Sequence, residues 1–424
     1  MTTIQKAILA LCCCSGLTAA AQQSYTLEQC IQEALTHNVR MRQANNKVEA
    51  AVQQKKEAFT RYFPTVSADG AGLLTNNGLA RMDMMGQQLT MARNGILGSV
   101  SASMPLYAGG QIVNGNKLAE VGVRVSQLQK EQTENEVELT TQQYFWRMVV
   151  WREKLQTLLR LEQQLGQMRQ DVDAAVKAGV TNRNDLLQVD LRRNEVQSQQ
   201  LSVRNTLYAT QHLLAQYMGH ADDSLTLKYD SITGLPPRPD SLYCAPEQAV
   251  TRTAAYGLLS ENVASAKLQY KMTRGKNMPT VAIGGGHFYE NLLDADHSSW
   301  MGFATVSIPL TKWWGGSHEM KRSRLEVNNA EDLLADRRQC LVISVQNTWN
   351  ELTVAYRQVE IAVQAIAQAD ENLRLQHDYY QAGTTTMSDV LEAQSLFQQS
   401  RDRFVENYAN YRLKCVEYLQ ATGR

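Results

Sequence analysis

Alternating hydrophobic and small polar residues predict two pairs of β-strands in this chain. The clearest alternation is a run in which serines separate Val100, Ala102, Met104 and Leu106. Weaker alternation marks residues 65–70 and 280–283, and a fourth strand is predicted over 300–310. A period of two residues is typical of strands whose two faces meet different surroundings.

Two very long segments predict helices, because no proline falls within 110–179 or 316–383. At 1.5 Å per residue, each helix would be about 100 Å long. Both segments end at a glycine, which suits the left-handed conformation that terminates a helix. Asp185 and Asp389 each stand three residues after a polar residue that can cap a helix, so a return helix is predicted in each half.

A shorter helix is predicted to begin at Thr26 and to continue to about Phe63. Thr26 and Gln29 have the spacing of a capping box, in which each side chain bonds the backbone of the other residue. The return helices carry a seven-residue spacing, which predicts that they pack lengthwise against neighbouring helices. The two series are Val189, Val196 and Val203, and Phe397, Phe404, Tyr411 and Tyr418.

The two halves of the chain share sequence at a constant offset of 204 residues. The matches are Pro105-Leu106 with Pro309-Leu310, Ala178-Gly179 with Ala382-Gly383, and Asp185 with Asp389. Self-similarity at a fixed offset predicts one structural unit that is used twice. We therefore divide the chain into a first repeat over 22–220, a linker over 221–246 that holds four of the eight prolines, and a second repeat over 247–424.

Composition narrows the class of protein. The 42 Lys and Arg residues balance 42 Asp and Glu residues, so a nucleic-acid partner, which requires a broad basic surface, is not expected. With 43% hydrophobic residues the chain is not disordered by composition. Beyond the N-terminal segment it lacks the roughly 20 consecutive apolar residues of a membrane-spanning helix, which excludes a polytopic helical membrane protein but not one built from strands.

The first 21 residues have the three parts of a secretory signal peptide. Lys6 precedes an apolar run over 7–14, and three alanines at 19–21 form the small-residue cleavage site. The alternatives are an uncleaved anchor helix and lipidation at a cysteine within 12–14. The four later cysteines are too sparse for a disulfide framework; they are Cys30, Cys244, Cys340 and Cys415.

The sequence predicts no catalytic residues, no cofactor and no resident metal. The seven histidines show neither an HExxH motif nor another ligand spacing. Three consecutive glycines at 284–286 lack the Lys-Ser/Thr of a phosphate loop, and their strand-like flanks favour close backbone approach within a sheet.

Two groups of residues carry open alternatives. Four methionines crowd the loop between the first two strands, where they either fill the loop or, as soft thioether ligands, serve a copper-exporting system. They are Met82, Met84, Met85 and Met91. Three tryptophans near strand ends, Trp300, Trp313 and Trp314, suit an interfacial aromatic belt. For Trp313 and Trp314, core packing at a strand-to-helix junction is the alternative.

Four strands cannot form a closed barrel in a membrane. Open sheet edges are not tolerated in hydrocarbon, and a membrane barrel needs at least about eight strands. A strand-based membrane form of this chain must therefore share its barrel with other copies. Eight strands leave an interior filled by side chains, so three or more protomers are needed to leave room for passage.

Several motifs recur in order along nearly all of the chain after the signal segment. They are Thr26-Leu27-Glu28-Gln29 at the first helix, the strand-to-helix junctions Pro105, Gly109, Gly110 and Pro309, Gly315, Gly316, and the two Ala-Gly tips followed by Asp-Leu/Val-Leu. In these motifs the chain resembles the TolC family of bacterial outer-membrane efflux proteins. Each motif alone is weak, whereas their order, spacing and duplication together are specific.

The resemblance implies a mainly α protein with membrane β-structure. It implies a homotrimeric channel, in which a shared 12-stranded outer-membrane β-barrel is continued by a long periplasmic α-helical barrel. Such proteins are passive exit ducts for drugs, small molecules or proteins, in tripartite efflux or type I secretion systems. Their partners are a periplasmic adaptor, an inner-membrane transporter and outer-membrane lipid.

The resemblance also assigns roles to the helix-turn-helix tips. In the family, these tips meet the adaptor. The matching residues here are Ala178, Gly179 and Val180 in the first tip, and Ala382, Gly383 and Thr384 in the second.

A gate near the second tip is implied in the same way. Asp389 and Glu392 match acidic positions that constrict the entrance in the family. Tyr380 and Asp185 match two members of a polar network that holds the gate shut, whereas the basic member of that network falls on Thr385. This departure from the family removes the charge of a salt-bridge latch. Carboxylates gathered around one opening are expected to raise each other's pKa.

Two other classes of function compete with an export duct. A periplasmic coiled-coil adaptor or scaffold would explain the helices and the signal segment, but it leaves the strand pairs unexplained. A secreted enzyme would need a nucleophile, base or ligand arrangement that the sequence lacks.

Overall fold

The computed structural model describes residues 24–76, 80–84, 87–91, 94–220, 225–291, 296–310 and 312–424. The predicted signal segment and Met85 lie outside these ranges.

The described residues are mainly helical and form eight α-helices, which include two long helices and two return helices. The helices are α1 (Leu27–His37), α2 (Val39–Thr60), α3 (Gln111–Lys177), α4 (Arg183–Tyr217), α5 (Pro246–Val250), α6 (Ala254–Gly275), α7 (Lys312–Gln381) and α8 (Met387–Ala421), with a 3₁₀ turn at Pro239–Leu242. The strands are β1 (Ser24–Tyr25), β2 (Thr65–Leu74), β3 (Ala80–Met84), β4 (Gln87–Met91), β5 (Asn94–Ala108), β6 (Thr226–Leu227), β7 (Thr280–Asn291) and β8 (His297–Ser307). No helix among the described residues is long and apolar enough to cross a membrane.

The chain folds as two units. The first, here called the tip unit, contains the described residues up to Gln43 together with Glu131–Thr253 and Leu341–Arg424. The second, the strand unit, contains Ala44–Lys130 and Ala254–Cys340. Both halves of the chain carry a strand pair, a long helix and a 35-residue return helix in the same order. The division into two repeats stays a prediction.

The strand unit contains a four-stranded antiparallel sheet in the order β2-β5-β7-β8. The predicted alternation in β2 and β5 separates two faces, because paired residues on neighbouring strands point to the same side. One face carries Val66, Ala68, Val100 and Ala102, and the other carries Thr65, Ser67, Ser101 and Ser103. The hydroxyl groups of Ser67 and Ser101 lie 3.1 Å apart on the polar face.

The edge strand β8 continues the apolar face of this sheet. Trp300 pairs with His287, which pairs with Val100, so these three side chains share one side. Trp300 is 83% exposed, which suits the aromatic-belt alternative. Trp314 is also 83% exposed, so core packing is wrong for this tryptophan within the chain. Trp313 has a side chain outside the described part of the structure.

Close packing explains the glycines at 284–286. A Cβ on Gly286 would lie 2.7 Å from the carbonyl oxygen of Val100, and a Cβ on Gly284 would lie 2.6 Å from the ring of Phe303. The predicted close backbone approach is therefore confirmed.

Two predicted features of the strands were wrong. The region between the first two strands was predicted as a loop, but it contains the hairpin β3-β4, which places Met82, Met84 and Met91 in strands. The last strand ends at Ser307 rather than Leu310. Pro309 explains this end, since proline has no backbone N–H to donate to a neighbouring strand.

The two strand-to-helix junctions differ from each other. After Pro105, Gly109 and Gly110 have φ values of +60° and +76°, and a Cβ on Gly109 would lie 2.2 Å from the carbonyl oxygen of Gly275. After Pro309, the helix begins at Lys312, so placing Gly315 and Gly316 in a junction was wrong. Both glycines are helical. Gly316 is required instead by the side chain of Asn277, which would lie 2.2 Å from a Cβ at this position.

The predicted first helix is interrupted at Asn38, whose ψ of 138° is extended. Asn38 breaks the helix because its side chain bonds outside the helix. Its Nδ2 donates to the carbonyl oxygen of Tyr217 at 2.8 Å, and its Oδ1 accepts from the backbone N–H of Arg40 at 2.8 Å. The predicted capping box between Thr26 and Gln29 is present.

The return helices pack through their seven-residue seams, as predicted. Val189 and Val196 are fully buried, with Val203 packed against the same cluster. On α8, the buried tyrosines Tyr411 and Tyr418 also hold the linker. The hydroxyl of Tyr411 donates to the carbonyl oxygen of Pro237 at 2.6 Å, and the hydroxyl of Tyr418 accepts from the backbone N–H of Cys244 at 2.9 Å.

Candidate functional site

Two exposed reversals in the tip unit form the candidate site. The first joins α3 to α4 and the second joins α7 to α8. Gly179 and Gly383 each have a φ of +72°, as predicted for the left-handed residue that ends a helix. In the first tip, the N–H groups of Gly179 and Val180 donate to Val176 and Ala175 at 3.0 and 2.9 Å, and the second tip repeats the pattern.

The tips present an open surface in the single chain. All six predicted contact residues are exposed, and Val180 is exposed by 80%. Apart from the adjoining residues, no atom in the described part of the chain lies within 4 Å of a Cβ built on Gly179 or Gly383. These glycines therefore serve the turn conformation, and the space beside them is available to a partner.

The two return helices begin differently. Thr386 caps α8 in a reciprocal capping box, since its hydroxyl accepts from the N–H of Asp389 at 3.3 Å and its own N–H donates to Asp389 at 3.0 Å. The corresponding cap of α4, Asn182, makes no such side-chain bond. The hydroxyl of Thr181 donates to Asp185 at 2.5 Å instead.

The structure brings Tyr380 and Asp185 together. The hydroxyl of Tyr380 donates to Oδ2 of Asp185 at 3.1 Å, so the predicted hydrogen bond between the tips is present. Burial raises the pKa of Tyr380, and the Asp185 carboxylate beside it acts in the same direction. The tyrosine therefore remains a donor at physiological pH. Its role in gating stays a prediction.

Thr385 offers a hydroxyl group where the family resemblance predicts a basic side chain. Its hydroxyl lies 2.9 Å from Oδ2 of Asp389 on α8 and 3.1 Å from Oε1 of Gln376 on α7, so it can donate to either helix. Hydrogen bonds from the hydroxyl and N–H of Thr386, and from Thr385, lower the pKa of Asp389. Within one chain the capping bonds thus stabilise the charged form of Asp389, whereas the expected rise in pKa from carboxylates gathered around one opening concerns several copies and stays a prediction.

The carboxylate of Glu392, unlike that of Asp389, accepts no capping hydrogen bonds among the described residues. It is exposed one turn beyond Asp389 and makes no hydrogen bond or ion pair within the described part of the chain. Asp389 is a helix-capping acid, whereas Glu392 has no structural role of this kind.

A groove of about 510 Å³ lies behind the second tip and is lined by α3, α7 and α8. Its cation, Arg374, is held within its own helix, because the guanidinium bonds Glu371 at 2.8 and 2.9 Å and Asp378 at 2.8 Å. Further carboxylates from Asp171 and Asp370 line the groove. The positive charge of Arg374 is therefore balanced by carboxylates of its own helix.

Polar contacts join the helices behind the tips. Arg169 pairs with Asp190 at 2.6 Å and so links α3 to α4. Arg192 donates to Gln398 at 3.0 Å and links α4 to α8. These bonds tie each tip to the packed helices behind it.

The sequence reading missed one cluster of ligand-type side chains. Glu33, His37 and His220 place their ligand atoms within 4.8 Å of one another, although His220 lies far away along the chain. In the sequence, the one indication of this cluster is the spacing of Glu33 and His37, which stand four residues apart on one predicted helix.

Solved structures with the same fold define the class. VceC, an outer membrane protein from Vibrio cholerae, superposes with a TM-score of 0.77 at 12% identity, over 94% of this chain and 96% of VceC. The CmeC outer membrane channel of Campylobacter jejuni gives a TM-score of 0.76 at 14% identity, over 94% of this chain and 85% of CmeC. The chain thus has the fold of these outer-membrane proteins.

The sequence agrees with the fold. Residues 30–220 and 260–424 match the model of the family described as outer membrane efflux protein, and the chain belongs to this family. A curated relative, protein CyaE of Bordetella pertussis (strain Tohama I), is 27% identical over 166 residues. That match spans 38% of this chain and only 35% of CyaE. The family and its structural neighbours are channels rather than enzymes.

Proposed function

We propose that this chain is the outer-membrane exit duct of a tripartite efflux or type I secretion system. In this proposal three copies share a 12-stranded β-barrel, and their long helices continue the passage as a periplasmic tunnel. The duct is passive, and an inner-membrane transporter drives drugs, small molecules or proteins through it.

The observation that carries the proposal is the four-stranded sheet. Its outer strands, β2 and β8, each pair with only one other strand among the described residues. Val66, Val100 and Trp300 expose 67%, 53% and 83% of their surface on one face. An apolar sheet face with two unpaired edges is unfavourable in water and in lipid alike. Pairing β2 of one copy with β8 of the next removes both edges, and three copies supply twelve strands.

The helices support the rest of the duct. Helices α3 and α7 contain 67 and 70 residues, which corresponds to about 100 Å each. That length suits a tunnel that reaches deep into the periplasm. The exposed tips at its end are proposed to dock a periplasmic adaptor.

The tips are also proposed to form the gate. Tyr380 and Asp185 tie the first tip to the second, while the hydroxyl of Thr385 lies between Gln376 of α7 and Asp389 of α8. Three copies of Glu392 would add unpaired carboxylates at the entrance. Such a ring favours cations over anions.

Purification in mild detergent tests the proposal. Membrane fractionation should place the protein in the outer membrane, native mass measurement should give a trimer, and planar bilayers should show ion conductance. A stable monomer that keeps its full β-structure would contradict the shared barrel. A periplasmic protein without conductance would instead support the coiled-coil adaptor or scaffold.

A further inference from the structure

We infer that Glu33, His37 and His220 form a binding site for a zinc-type divalent transition-metal ion. The site lies in the tip unit, where the end of α1 meets the residue that follows the turn after α4. Among the described residues it is the only group of three potential ligands whose donor atoms lie within 4.8 Å of one another.

Local structure aligns the first two ligands. Glu33 and His37 stand four residues apart on α1, so their side chains share one face of the helix. Nδ1 of His37 lies 2.9 Å from Oε2 of Glu33.

A glycine brings the third ligand into place. Gly219 has a φ of +87°, and the N–H of His220 donates to the carbonyl oxygen of Ala215 at 2.9 Å, which ends α4 and reverses the chain. A Cβ on Gly219 would lie 2.8 Å from the Cβ of His37. Only glycine therefore combines this conformation with so close an approach to α1.

The distances suit a small divalent ion. Nε2 of His220 lies 3.2 Å from the same Oε2 of Glu33 that His37 contacts. Ligand atoms about 2.0–2.1 Å from a tetrahedral zinc ion lie about 3.3 Å from one another. The two imidazole rings are 5.8 Å apart and tilted by 56°, so they do not stack. Small side-chain rotations are sufficient to place an ion between the three donors.

Packing holds the two elements together around the site. Ala34 of α1, Ala215 in the last turn of α4 and Met218 directly after α4 belong to the same buried cluster. The bond from Asn38 to the carbonyl oxygen of Tyr217 fixes the neighbouring backbone. Cys30 lies in this cluster as well, but it is fully buried and its sulfur is not among the ligand atoms that lie within 4.8 Å of one another.

The donor set and exposure indicate the metal. Two imidazoles and one carboxylate suit zinc, whereas calcium and magnesium prefer oxygen alone and Cu(I) prefers sulfur. The side chains of Glu33 and His220 are 35% and 31% exposed, and that of His37 is 52% exposed. Water can therefore complete the coordination. A bound ion would cross-link α1 to the end of α4, in addition to the proposed export function and independently of it.

Zinc titration of the chelator-treated, full-length protein in detergent tests this site. Competition with a chromogenic chelator should show about one tight zinc ion per chain. His37→Ala and His220→Ala should each weaken binding at least about tenfold. Glu28→Gln on α1 and His212→Ala on α4 are matched controls outside the cluster, and both should bind like the parent.

Two further measurements distinguish a loss of metal binding from a loss of folding. His37 is the most exposed ligand, so His37→Ala should keep the circular dichroism spectrum and melting temperature of the metal-free parent. Zinc should raise the melting temperature of the parent but not of His37→Ala. Cobalt substitution should give visible absorption bands that this variant lacks. Equal zinc binding by parent and variants, or no binding by the parent, would show that the three side chains are only hydrogen-bonded.

Discussion

At the scale of single residues, hydroxyl groups form the contacts between the helices at the tips. Tyr380 reaches across to Asp185, and Thr385 reaches from the turn of the second tip to Asp389. Neutral hydrogen bonds contribute about 0.5–1.5 kcal/mol each, and bonds to a charged acceptor about 1.5–3 kcal/mol. In the proposed gate, a closed state held in this way would open by losing a few such bonds.

Removing one hydroxyl group should loosen the gate. Tyr380→Phe deletes the donor to Asp185 but keeps the ring, and Asp185 retains its bond from Thr181. We expect a higher single-channel conductance or open probability in planar bilayers, with unchanged trimer assembly. Tyr379→Phe is the matched control, because Tyr379 is exposed and contributes its backbone carbonyl rather than its hydroxyl to the tip. Equal conductance in both variants would remove Tyr380 from the gate.

The capping role of Asp389 predicts a dependence on pH. Its pKa in the folded chain is lowered by the cap. The charged form therefore stabilises the fold above the unfolded pKa of about 3.9, and this contribution is lost as the pH falls through the folded pKa. Asp389→Asn should lower the melting temperature at neutral pH, and the difference from the parent should shrink below about pH 4. Glu392→Gln should show a smaller effect at neutral pH. A difference for Asp389→Asn that stays constant with pH would contradict the cap.

At the scale of elements, two long helices reverse through turns that the chain closes with its own backbone. Each turn uses one glycine at a positive φ and two backbone hydrogen bonds. Among the described residues, none apart from its chain neighbours fills the space beside that glycine. The turn requires a residue that tolerates a positive φ, whereas the proposed docking requires open space beside that residue. Substitutions at the glycine can distinguish these two requirements.

Gly383→Trp should block docking of the adaptor. The bulky side chain would occupy the space beside the turn, and the left-handed conformation would cost about 1–2 kcal/mol. We expect export to be lost in the cognate system while trimers still reach the outer membrane. Gly383→Asn is the matched control, since asparagine tolerates this conformation with a small side chain. Export that survives in Gly383→Trp would contradict docking at this tip.

At the scale of the whole molecule, the sheet has an apolar face, which the proposed barrel turns toward lipid, and a face with hydroxyl groups. Neighbouring positions on the central strand β5 point to opposite faces, so adjacent substitutions compare the two environments directly. Val100 lies on the apolar face, and Ser99 lies on the other face opposite Asp69.

Val100→Lys should impair assembly in the membrane. A lysine on a lipid-facing side near the bilayer centre costs about 2–4 kcal/mol. Ser99→Lys should be tolerated, because it faces the polar side beside Asp69. The measurement is the yield of heat-resistant trimer in outer-membrane fractions. Equal yields for the two variants would contradict the assignment of the faces.

Local sequence determined the elements with regular periods. The serine alternation of β5, the proline-free runs of α3 and α7, and the glycines of the tips each act within a few residues, so the sequence alone predicts them. The pairing of Tyr380 with Asp185 was also foreseen, but through the resemblance to a family rather than through the pattern.

Only the tertiary structure decided the features that depend on distant partners. Asn38 interrupts a continuous helical pattern because the carbonyl group of Tyr217 offers its side chain a bond outside the helix. Gly316 is a helical residue beside Asn277 and not part of a turn. His220 meets Glu33 and His37 only because Gly219 lets the end of α4 approach α1. A linear pattern records which residues stand near each other along the chain, whereas these contacts arise from packing between segments far apart in sequence.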